Sequence, residues 1–286
     1  MIRNIFPKVL KDNLSGSGQI LFRVQQSLLQ FGQTEENPEP TALLKQLEKL
    51  EQHFPHFALL FHFLNELKAF VAKNSSVKGR LLEEFVRQYR SRWENTQQKA
   101  SENLLRNISL SGKNILLHSN SSAIHNLFRI MADRKMFSTV WQTVSSPANE
   151  GLKQAEFLKS LGFDVHVFHE DAISKFIKDI DMAVFGADLL WHDSFLNKVG
   201  TLPLALTFRY FKKPVYVLAE TRKQISTTIV SKERGQQFFE EKPKSAKELM
   251  PVTFPGLRIH NYYFDSVPLS LVEQVFTEVE TIPNLF

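Results

Sequence analysis

The amino-acid sequence predicts an α/β protein in two parts, an N-terminal all-helical domain over residues 1–110 and a doubly wound, mainly parallel sheet over residues 111–286. Two observations support this fold class. In the first part, apolar residues recur at three- and four-residue steps, which places them on one face of a helix. In the second part, short apolar runs rich in β-branched residues alternate with helical segments, a pattern typical of βαβ units. A chain of 286 residues suits two such domains.

The composition indicates a folded globular protein. The chain is 43% hydrophobic and 23% charged, and its 25 phenylalanines supply ample apolar area for a core. It contains no cysteine, which excludes disulfides, zinc–thiolate sites and a thiol nucleophile, and which fits a reducing compartment. No apolar run approaches the roughly 18 residues that a membrane span requires. We therefore expect a soluble cytoplasmic protein.

The net charge of +5 makes the surface mildly basic. Such a surface favours phosphorylated small molecules or weak contacts with nucleic acid. Neither an arginine-rich tract nor an RNA-binding aromatic signature accompanies the charge. A nucleic-acid partner is therefore not expected, and a basic surface without a dedicated role is the simpler interpretation.

The helical domain is expected to contain three short helices and one long charged segment. The predicted segments are residues 19–31, residues 42–50, a stretch that follows Pro55 and ends near Asn74, and a long helix or helix pair over residues 76–107. Thr41 is expected to cap the second helix. The long segment carries large apolar side chains at four-residue steps, which predicts packing: Leu81, Phe85, Tyr89 and Trp93.

The α/β domain is expected to alternate strands with helices. The predicted strands are 114–118, 138–144, 165–168, 182–185 and 214–218. The predicted helices are 122–133, 149–161, 172–179 and 201–211. The tail, residues 264–268 followed by a helix over residues 269–280, is expected to close the domain.

Such an open sheet is Rossmann-like, but the dinucleotide fingerprint fails. Gly16 and Gly18 lack a third glycine at the required spacing, and no strand precedes them. A phosphate-binding P-loop is absent as well, since Gly112-Lys113 has no upstream glycine partner. No nicotinamide or other cofactor is expected. No metal ion is expected either, because His166 and His169 point to opposite faces of one predicted strand.

One stretch, Gly186–Thr201, points to a ligand site. An apolar run leads into Gly186-Ala187-Asp188, a polar loop follows, and Asn197-Lys198 comes just before a helix start at Gly200-Thr201. Open α/β sheets bind ligands where strands end in this way. The stretch offers a carboxylate, an amide and an ammonium beside a helix N-terminus that can hold a phosphate. A phosphorylated small molecule is therefore the expected ligand.

Several other stretches of the chain match the pattern of a known family. They are Leu117-His118-Ser119-Asn120-Ser121-Ser122, Ser146-Pro147 with Glu150-Gly151, Asp171-Ala172, Asn261 to Asp265 with Pro268, Thr277-Glu278 and, more weakly, Ser15-Gly16-Ser17. Together with the Gly-Ala-Asp element, they resemble the family of the alpha, beta and delta subunits of eukaryotic translation initiation factor 2B. Methylthioribose-1-phosphate isomerase and ribose-1,5-bisphosphate isomerase belong to the same family. The resemblance covers about residues 105–280.

The resemblance implies an acid–base pair in the isomerases, a cysteine at the strand-end turn and the Gly-Ala-Asp carboxylate. This chain keeps Asp188 as the candidate acid–base group, but Ser119 stands at the cysteine position. A serine hydroxyl is a far weaker acid than a thiol and needs a dedicated base. The family's two phosphate-binding arginines are replaced by Ser15 and Ser146. Each lost arginine removes charge-assisted hydrogen bonds of roughly 1.5–3 kcal/mol.

The remaining candidate residues are ligand-binding groups that compensate for the arginines in part. Phosphate is expected at Lys198, at the loop amides of Gly16, Ser17 and Gly18, and at the helix N-terminus of Ser121 and Ser122. Further candidate ligand contacts are Asn120, Asn197 and His118. For His118 a second role, as a hydrogen-bonded core histidine, is equally open.

Two functions remain. The first is a protein similar to the initiation-factor subunits that binds a sugar phosphate or nucleotide and lacks the standard isomerase chemistry. The second is an aldose–ketose isomerase of a phosphorylated pentose, with Asp188 as acid–base group and Ser119 orienting a ligand hydroxyl. The resemblance implies a homodimer formed through the α/β domain, and it alone implies a role in translation initiation.

Overall fold

The computed structural model describes residues 4–12, 16–34, 38–74, 77–225, 230, 238–250, 252, 254, 256–279 and 281–282. The chain divides into two compact units, Met1–Asn95 and Thr96–Phe286. The division therefore precedes the helix Thr96–Asn107, which the predicted domain boundary at residue 110 included in the helical part. This helix packs with the second unit because Ala100 and Leu104 are buried in its core.

The first unit is a helical bundle with a single apolar core. After a short 3₁₀ turn at Val9–Lys11, its helices are α1 Ser17–Gly32, α2 Pro40–His53, α3 Ala58–Lys73 and α4 Gly79–Arg92. Each helix contributes its apolar face, as the spacing predicted, and residues such as Leu28, Leu47 and Phe63 are fully buried. The end of α1 lies against the start of α4, because a Cβ atom on Gly32 would lie 2.7 Å from the carbonyl oxygen of Gly79.

Two predictions for the helical segments need correction or refinement. The cap predicted at Thr41 is wrong, because α2 begins at Pro40, whose fixed φ suits the first helical position. The segment predicted as one long helix or a pair is a pair, α4 and α5 Thr96–Asn107. Phe85, Tyr89 and Trp93 of its apolar stripe pack in the helical core as expected, with Tyr89 fully buried.

The second unit contains two sheets. After α5, its elements are β1 Asn114–Leu117, α6 Ser122–Asp133, β2 Thr139–Thr143, α7 Gly151–Ser160, β3 Asp164–Phe168, α8 Ile173–Phe176, β4 Met182–Phe185, β5 Leu189–Trp191, β6 Ser194–Lys198, α9 Thr201–Tyr210, β7 Val215–Leu218, β8 Gln224–Ile225, β9 Phe264–Pro268, β10 Gln274–Phe276 and β11 Thr281–Ile282.

The larger sheet confirms the predicted fold class. Its strand order is β11-β10-β7-β4-β1-β2-β3, and all neighbours are parallel except β10 and β11. Side chains of the central strand β4 pack in a hydrophobic core on each face of the sheet. Met182 and Val184 pack with one cluster, whereas Ala183 and Phe185 pack with the other. Both faces are thus covered, as in a doubly wound sheet.

The smaller sheet corrects the prediction of a polar loop after Asp188. Its strand order is β8-β5-β6-β9, and β5 and β6 form an antiparallel hairpin in which Leu189 pairs with Leu196. Leucine and phenylalanine side chains of both strands are buried. Only the two-residue turn His192-Asp193 is exposed. Residues 189–198 therefore form two strands because their apolar residues are buried, although the polar residues in the middle suggested a loop.

The predicted C-terminal helix over residues 269–280 is wrong. Residues Leu269–Leu271 form a 3₁₀ turn, and the strand β10 follows and pairs with β7 in parallel. Val275 and Phe276 of β10 are buried in the two cores, so sheet pairing outweighs the helical pattern. Within the described residues, no helix is long and apolar enough to cross a membrane.

Candidate functional site

The carboxyl ends of β1, β2, β4 and β7 meet at one edge of the larger sheet, because these strands are parallel neighbours. The turn after β1 carries Ser119 to Ser122, and the turn after β4 carries Gly186 to Asp188. These two turns are in contact, since a Cβ atom on Gly186 would lie 2.6 Å from Ser121 Oγ. The predicted strand-end residues therefore share one edge, which we call the binding edge.

His118 is held inside the protein at the end of β1. Its side chain is 1% exposed. Its Nε2 lies 2.9 Å from the carbonyl oxygen of Val199, and its Nδ1 lies 2.6 Å from Thr143 Oγ1. Because the carbonyl can only accept, Nε2 carries the proton and Nδ1 accepts from the threonine hydroxyl. Burial lowers the pKa of His118 to about 4. Both ring nitrogens are thus used by the protein, which favours the core role over ligand contact.

The turn after β2 is tied to the turn after β1 through Ser145. The buried Ser145 Oγ accepts a hydrogen bond of 2.7 Å from the Ser119 amide. The Glu170 carboxylate accepts the amides of Ser145 and Ser146 at 3.0 and 2.7 Å. A Cβ atom on Gly151 would lie 2.0 Å from the Thr143 carbonyl oxygen, so only glycine fits there. The two turns therefore form one tightly packed support.

Ser119 is the first member of a polar chain. Its backbone adopts a left-handed conformation with φ of 69°, and its Oγ donates a hydrogen bond of 3.1 Å to Glu150 Oε1. The second oxygen of that carboxylate, Oε2, lies 3.1 Å from Lys198 Nζ. The sequence reasoning missed Glu150 as a site residue, although its place beside Gly151 in the family pattern was a usable signal.

Lys198 is buried and its charge is compensated. The residue is 4% exposed, and its Nζ lies 4.6 Å from the centre of the Tyr263 ring in addition to its pairing with Glu150. Burial, with hydrogen bonding to Glu248, raises the pKa of Tyr263. The phenol is therefore neutral at physiological pH and presents its π face to the ammonium. We call these linked residues of β6 and of the turns after β1, β2 and β3 the Ser119 corner: Ser119, Ser145, Glu150, Glu170 and Lys198.

The start of α9 differs from the sequence prediction. Gly200, with φ of 101°, precedes the helix, and Thr201 is its first residue and not its cap. Asp265 Oδ2 accepts the amides of Gly200 and Leu202 at 2.8 and 3.0 Å. A carboxylate from β9 thus neutralises the helix N-terminus at which a phosphate was expected. Asn197 is buried and donates to Thr201 Oγ1 at 3.0 Å.

The start of α6 keeps polar groups at the binding edge. The Ser121 amide donates to Gln154 Oε1 at 2.9 Å, and Ser122 Oγ accepts from Gln97 Nε2 at 2.9 Å. Asn120 Oδ1 is buried and accepts no hydrogen bond from the described residues. The amide of Asn120 thus remains a candidate ligand contact.

The turn after β4 contains Asp188 and is in contact with a lysine from the turn after β7. Asp188 is partly exposed, and its amide donates to the Leu196 carbonyl at 2.8 Å. Lys223 is 5% exposed, and its Nζ donates to the carbonyl of Ala187, the residue just before Asp188. We call Gly186, Ala187, Asp188 and Lys223 the Lys223 corner. Sequence reasoning missed Lys223, although the charged run Glu220-Thr-Arg-Lys223 directly after an apolar strand was a signal.

The glycine loop predicted to hold phosphate lies in the helical unit. Gly16 precedes α1, and its carbonyl accepts the amides of Gln19 and Ile20. Ser17 is the first residue of the helix and is buried, and Gly18 follows within its first turn. Ser15 lies outside the described residues. In the described part of the chain, no group of three or more His, Asp or Glu side chains is arranged to hold a metal ion.

A known protein family matches nearly the whole chain. The model of the initiation factor 2 subunit family matches residues 13–284. A ribose 1,5-bisphosphate isomerase of Methanocaldococcus jannaschii is 32% identical over 195 residues, 66% of this chain and 62% of that protein. A Pyrococcus abyssi protein named as similar to translation initiation factor eIF-2B subunit 2 is 32% identical over 169 residues, 59% of this chain and 57% of that protein.

A solved structure has a fold similar to that of this chain. The Pyrococcus horikoshii OT3 translation initiation factor eIF-2B matches with a TM-score of 0.81 at 23% identity, over 97% of this chain and 95% of that chain. The sequence matches span 62% and 57% of the two curated relatives, less than two thirds of their length. The relatives thus include both an isomerase and a protein named for translation.

Proposed function

The chain belongs to the initiation factor 2 subunit family, and from this premise we propose that it binds a sugar phosphate or nucleotide at the binding edge. We further propose that it lacks the thiol–carboxylate isomerase chemistry implied by the family resemblance. The proposal includes a homodimer formed through the α/β domain and a cytoplasmic location. Function within a fold depends on the site it carries, and the site considered in this proposal is the binding edge.

The hydrogen bond from Ser119 to Glu150 carries this proposal. Ser119 stands where the isomerases have a cysteine, and a thiol has a reference pKa of about 8.5, whereas a serine hydroxyl is a far weaker acid. Its Oγ donates to Glu150 at 3.1 Å, and the same carboxylate is paired with Lys198. A hydroxyl and carboxylate held in this way suit hydrogen bonds with the hydroxyls of a sugar.

The ligand class follows from the groups at the binding edge and from the named relative. Carboxylate, hydroxyl and amide groups at Glu150, Ser119 and Asn120 match a polyol. The related Methanocaldococcus jannaschii protein is named for ribose 1,5-bisphosphate. With the two arginines of the resemblance replaced by serines, a monophosphate is the better fit than a bisphosphate.

One observation favours a second function, an aldose–ketose isomerase. Moving a proton between C1 and C2 of an opened sugar phosphate needs groups that accept and return it. Glu150 accepts the Ser119 hydroxyl hydrogen bond, and Asp188 lies at the strand-end turn of the same edge. In this case Asp188 acts as acid–base group, Ser119 orients the ligand hydroxyl, and Glu150 stands in for the missing thiol as a base.

A single experiment separates the two functions. The purified chain is incubated with ribose 1,5-bisphosphate or with methylthioribose-1-phosphate, and the C1 and C2 protons are followed by NMR, in parallel with the melting temperature. We expect no turnover and a raised melting temperature with at least one sugar phosphate. Turnover that disappears in Asp188→Asn would instead establish the isomerase. If neither compound turns over or stabilises the protein, the binding proposal is wrong.

A further inference from the structure

Among the described residues, three buried cations lie near the binding edge, Lys198 at the end of β6 and Arg222 and Lys223 in the turn after β7, and they differ in how their charge is balanced. Lys198 is paired with Glu150, and Arg222 Nε donates to Glu220 Oε2 at 2.8 Å. Lys223 has another kind of partner, the Ala187 carbonyl. Across the described residues, no carboxylate oxygen lies within 4.0 Å of its Nζ. Lys223 is thus the buried cation of this edge without an acidic partner.

The hydrogen bonding of Lys223 is also incomplete. An ammonium has three N–H donors, and within the described part of the chain one of them, to Ala187, has a protein acceptor. Lys213, at the opposite edge of the sheet, differs in both respects: it is partly exposed and donates to the carbonyls of both Lys178 and Ile180. A nearly buried ammonium with one carbonyl partner is costly, because its lost hydration is not replaced by an opposite charge.

The position of Lys223 places this charge beside the proposed ligand. Its acceptor is the carbonyl of Ala187, and the next residue, Asp188, is partly exposed at the binding edge. Gly186 in the same turn contacts the start of α6. An anionic group bound here would supply the missing charge and acceptors, since charge-assisted hydrogen bonds to phosphate are among the stronger polar contacts.

We infer that Lys223 is the cation that recognises the phosphate of the ligand, in place of Lys198, whose charge Glu150 already balances. This inference rests on the proposed binding function and names the phosphate subsite within it. The two corners then bind different ends of the ligand. The Ser119 corner binds the end that carries the hydroxyls, and the Lys223 corner binds the phosphate. The competing interpretation is that Lys223 only braces the turn through Ala187.

The test measures what a phosphate group adds to binding. Affinities for ribose 5-phosphate and for ribose are determined by calorimetry, and their ratio isolates the phosphate contribution. In Lys223→Met we expect this ratio to fall by about 10- to 100-fold, the size of one or more lost charge-assisted bonds. In Lys198→Met we expect a change of less than about 3-fold in the ratio. Lys178→Met, which removes an exposed lysine far from any strand-end turn, is the surface control.

A second variant keeps the inference testable even if Lys223→Met does not fold. Glu150→Gln removes the partner of Lys198 and leaves its ammonium uncompensated. If Lys198 were the phosphate cation, this change would strengthen binding of ribose 5-phosphate by about 10-fold or more. We expect less than a 3-fold change in the ratio of the two affinities.

The outcomes separate the inference from the function on which it rests. If the ratio of the affinities for ribose 5-phosphate and ribose is the same in Lys223→Met as in the wild type, the Lys223 assignment alone is wrong. A larger loss in Lys198→Met, or a gain in Glu150→Gln, overturns it as well. If the wild type does not bind ribose 5-phosphate, the phosphate assignment to Lys223 is wrong, whereas the binding function is wrong only if ribose 1,5-bisphosphate and methylthioribose-1-phosphate also leave the melting temperature unchanged.

Discussion

The Ser119 corner and the Lys223 corner lie at the same edge of one sheet, yet their polar groups are satisfied in different ways. In the Ser119 corner, Glu150 balances Lys198 and Glu170 accepts two backbone amides. In the Lys223 corner, a buried ammonium has one carbonyl partner among the described residues. Paired opposite charges stabilise the fold in the Ser119 corner, although Glu150 Oε2 accepts no hydrogen bond from the described residues, whereas a charge without an opposite partner costs stability and serves binding. The contrast indicates which corner the fold depends on.

The strongest test of the contrast uses two glycines, Gly151 next to Glu150 of the Ser119 corner and Gly186 of the Lys223 corner. In Gly151→Ala the new Cβ would lie 2.0 Å from a backbone carbonyl, whereas in Gly186→Ala it would meet the Ser121 side chain at 2.6 Å. Rotation of Ser121 relieves the contact with its Oγ and leaves one with its Cβ at 2.9 Å, whereas only a backbone shift relieves the contact with the Thr143 carbonyl oxygen. We expect losses of about 3 kcal/mol or more for Gly151→Ala and about 1–2 kcal/mol for Gly186→Ala, measured by urea unfolding. Equal losses would contradict the greater rigidity of the Ser119 corner.

The next test compares the two lysines without ligand. Lys198→Met leaves the Glu150 carboxylate without its partner, so we expect a loss of about 2–3 kcal/mol in the free energy of unfolding. Lys223→Met removes an unbalanced charge along with one hydrogen bond, and we expect a change within about 1 kcal/mol. Urea unfolding at pH 7 measures both. A Lys223→Met protein that is as destabilised as Lys198→Met would show that Lys223 is chiefly structural.

The smallest of the three effects is the pH dependence contributed by His118, which packs under the Ser119 corner. Its pKa is lowered from 6.5 to about 4 by burial. The unfolded chain therefore binds more protons between pH 6.5 and 4, so stability is full above pH 6.5 and is lost as the pH falls through this window. From pH 7 to pH 5 we expect His118 to account for a loss of about 2 kcal/mol.

The variant His118→Gln checks this contribution. It should be less stable than the wild type at pH 7 but should lose less stability between pH 7 and pH 5. His125, whose pKa burial also lowers to about 4, lies on α6 and provides the matched variant His125→Gln. Because the two pKa values are lowered alike, a reduction in pH dependence of similar size is expected for this variant. An unaltered pH dependence in His118→Gln would mean that the histidine is not held neutral.

The sequence predicts the parts of the fold whose pattern is local. The five strands β1 to β4 and β7 were predicted because each is a compact run of apolar residues between helical segments. The hairpin of β5 and β6 was missed because the polar residues His192 to Ser194 separate two very short apolar runs, Leu189–Trp191 and Phe195-Leu196. The strand β10 was missed because its pairing partner β7 is remote in sequence.

The sequence also predicted only some of the residues at the binding edge. Asp188 was predicted because a residue after a strand of a parallel sheet lies at the carboxyl edge, Ser119 from the family pattern, and Lys198 from its place just before a helix start. Their charge partners were not. Glu150 approaches Lys198, and Asp265 caps α9, only after the chain has folded. Which cation is balanced, and which is not, depends on contacts between residues remote in sequence.

The pairing of β9 with β6 also bears on the order in which the protein is made and folded. Ser194 pairs with Pro268, and the strand that brings Pro268 also brings Asp265 to α9 and adjoins Tyr263 beside Lys198. Contacts between residues so far apart along the chain form slowly. During synthesis, the central strands of the large sheet emerge before β9 does. The binding edge is therefore expected to mature last, and a nascent chain that stops short of β9 would hold its strands without a finished site.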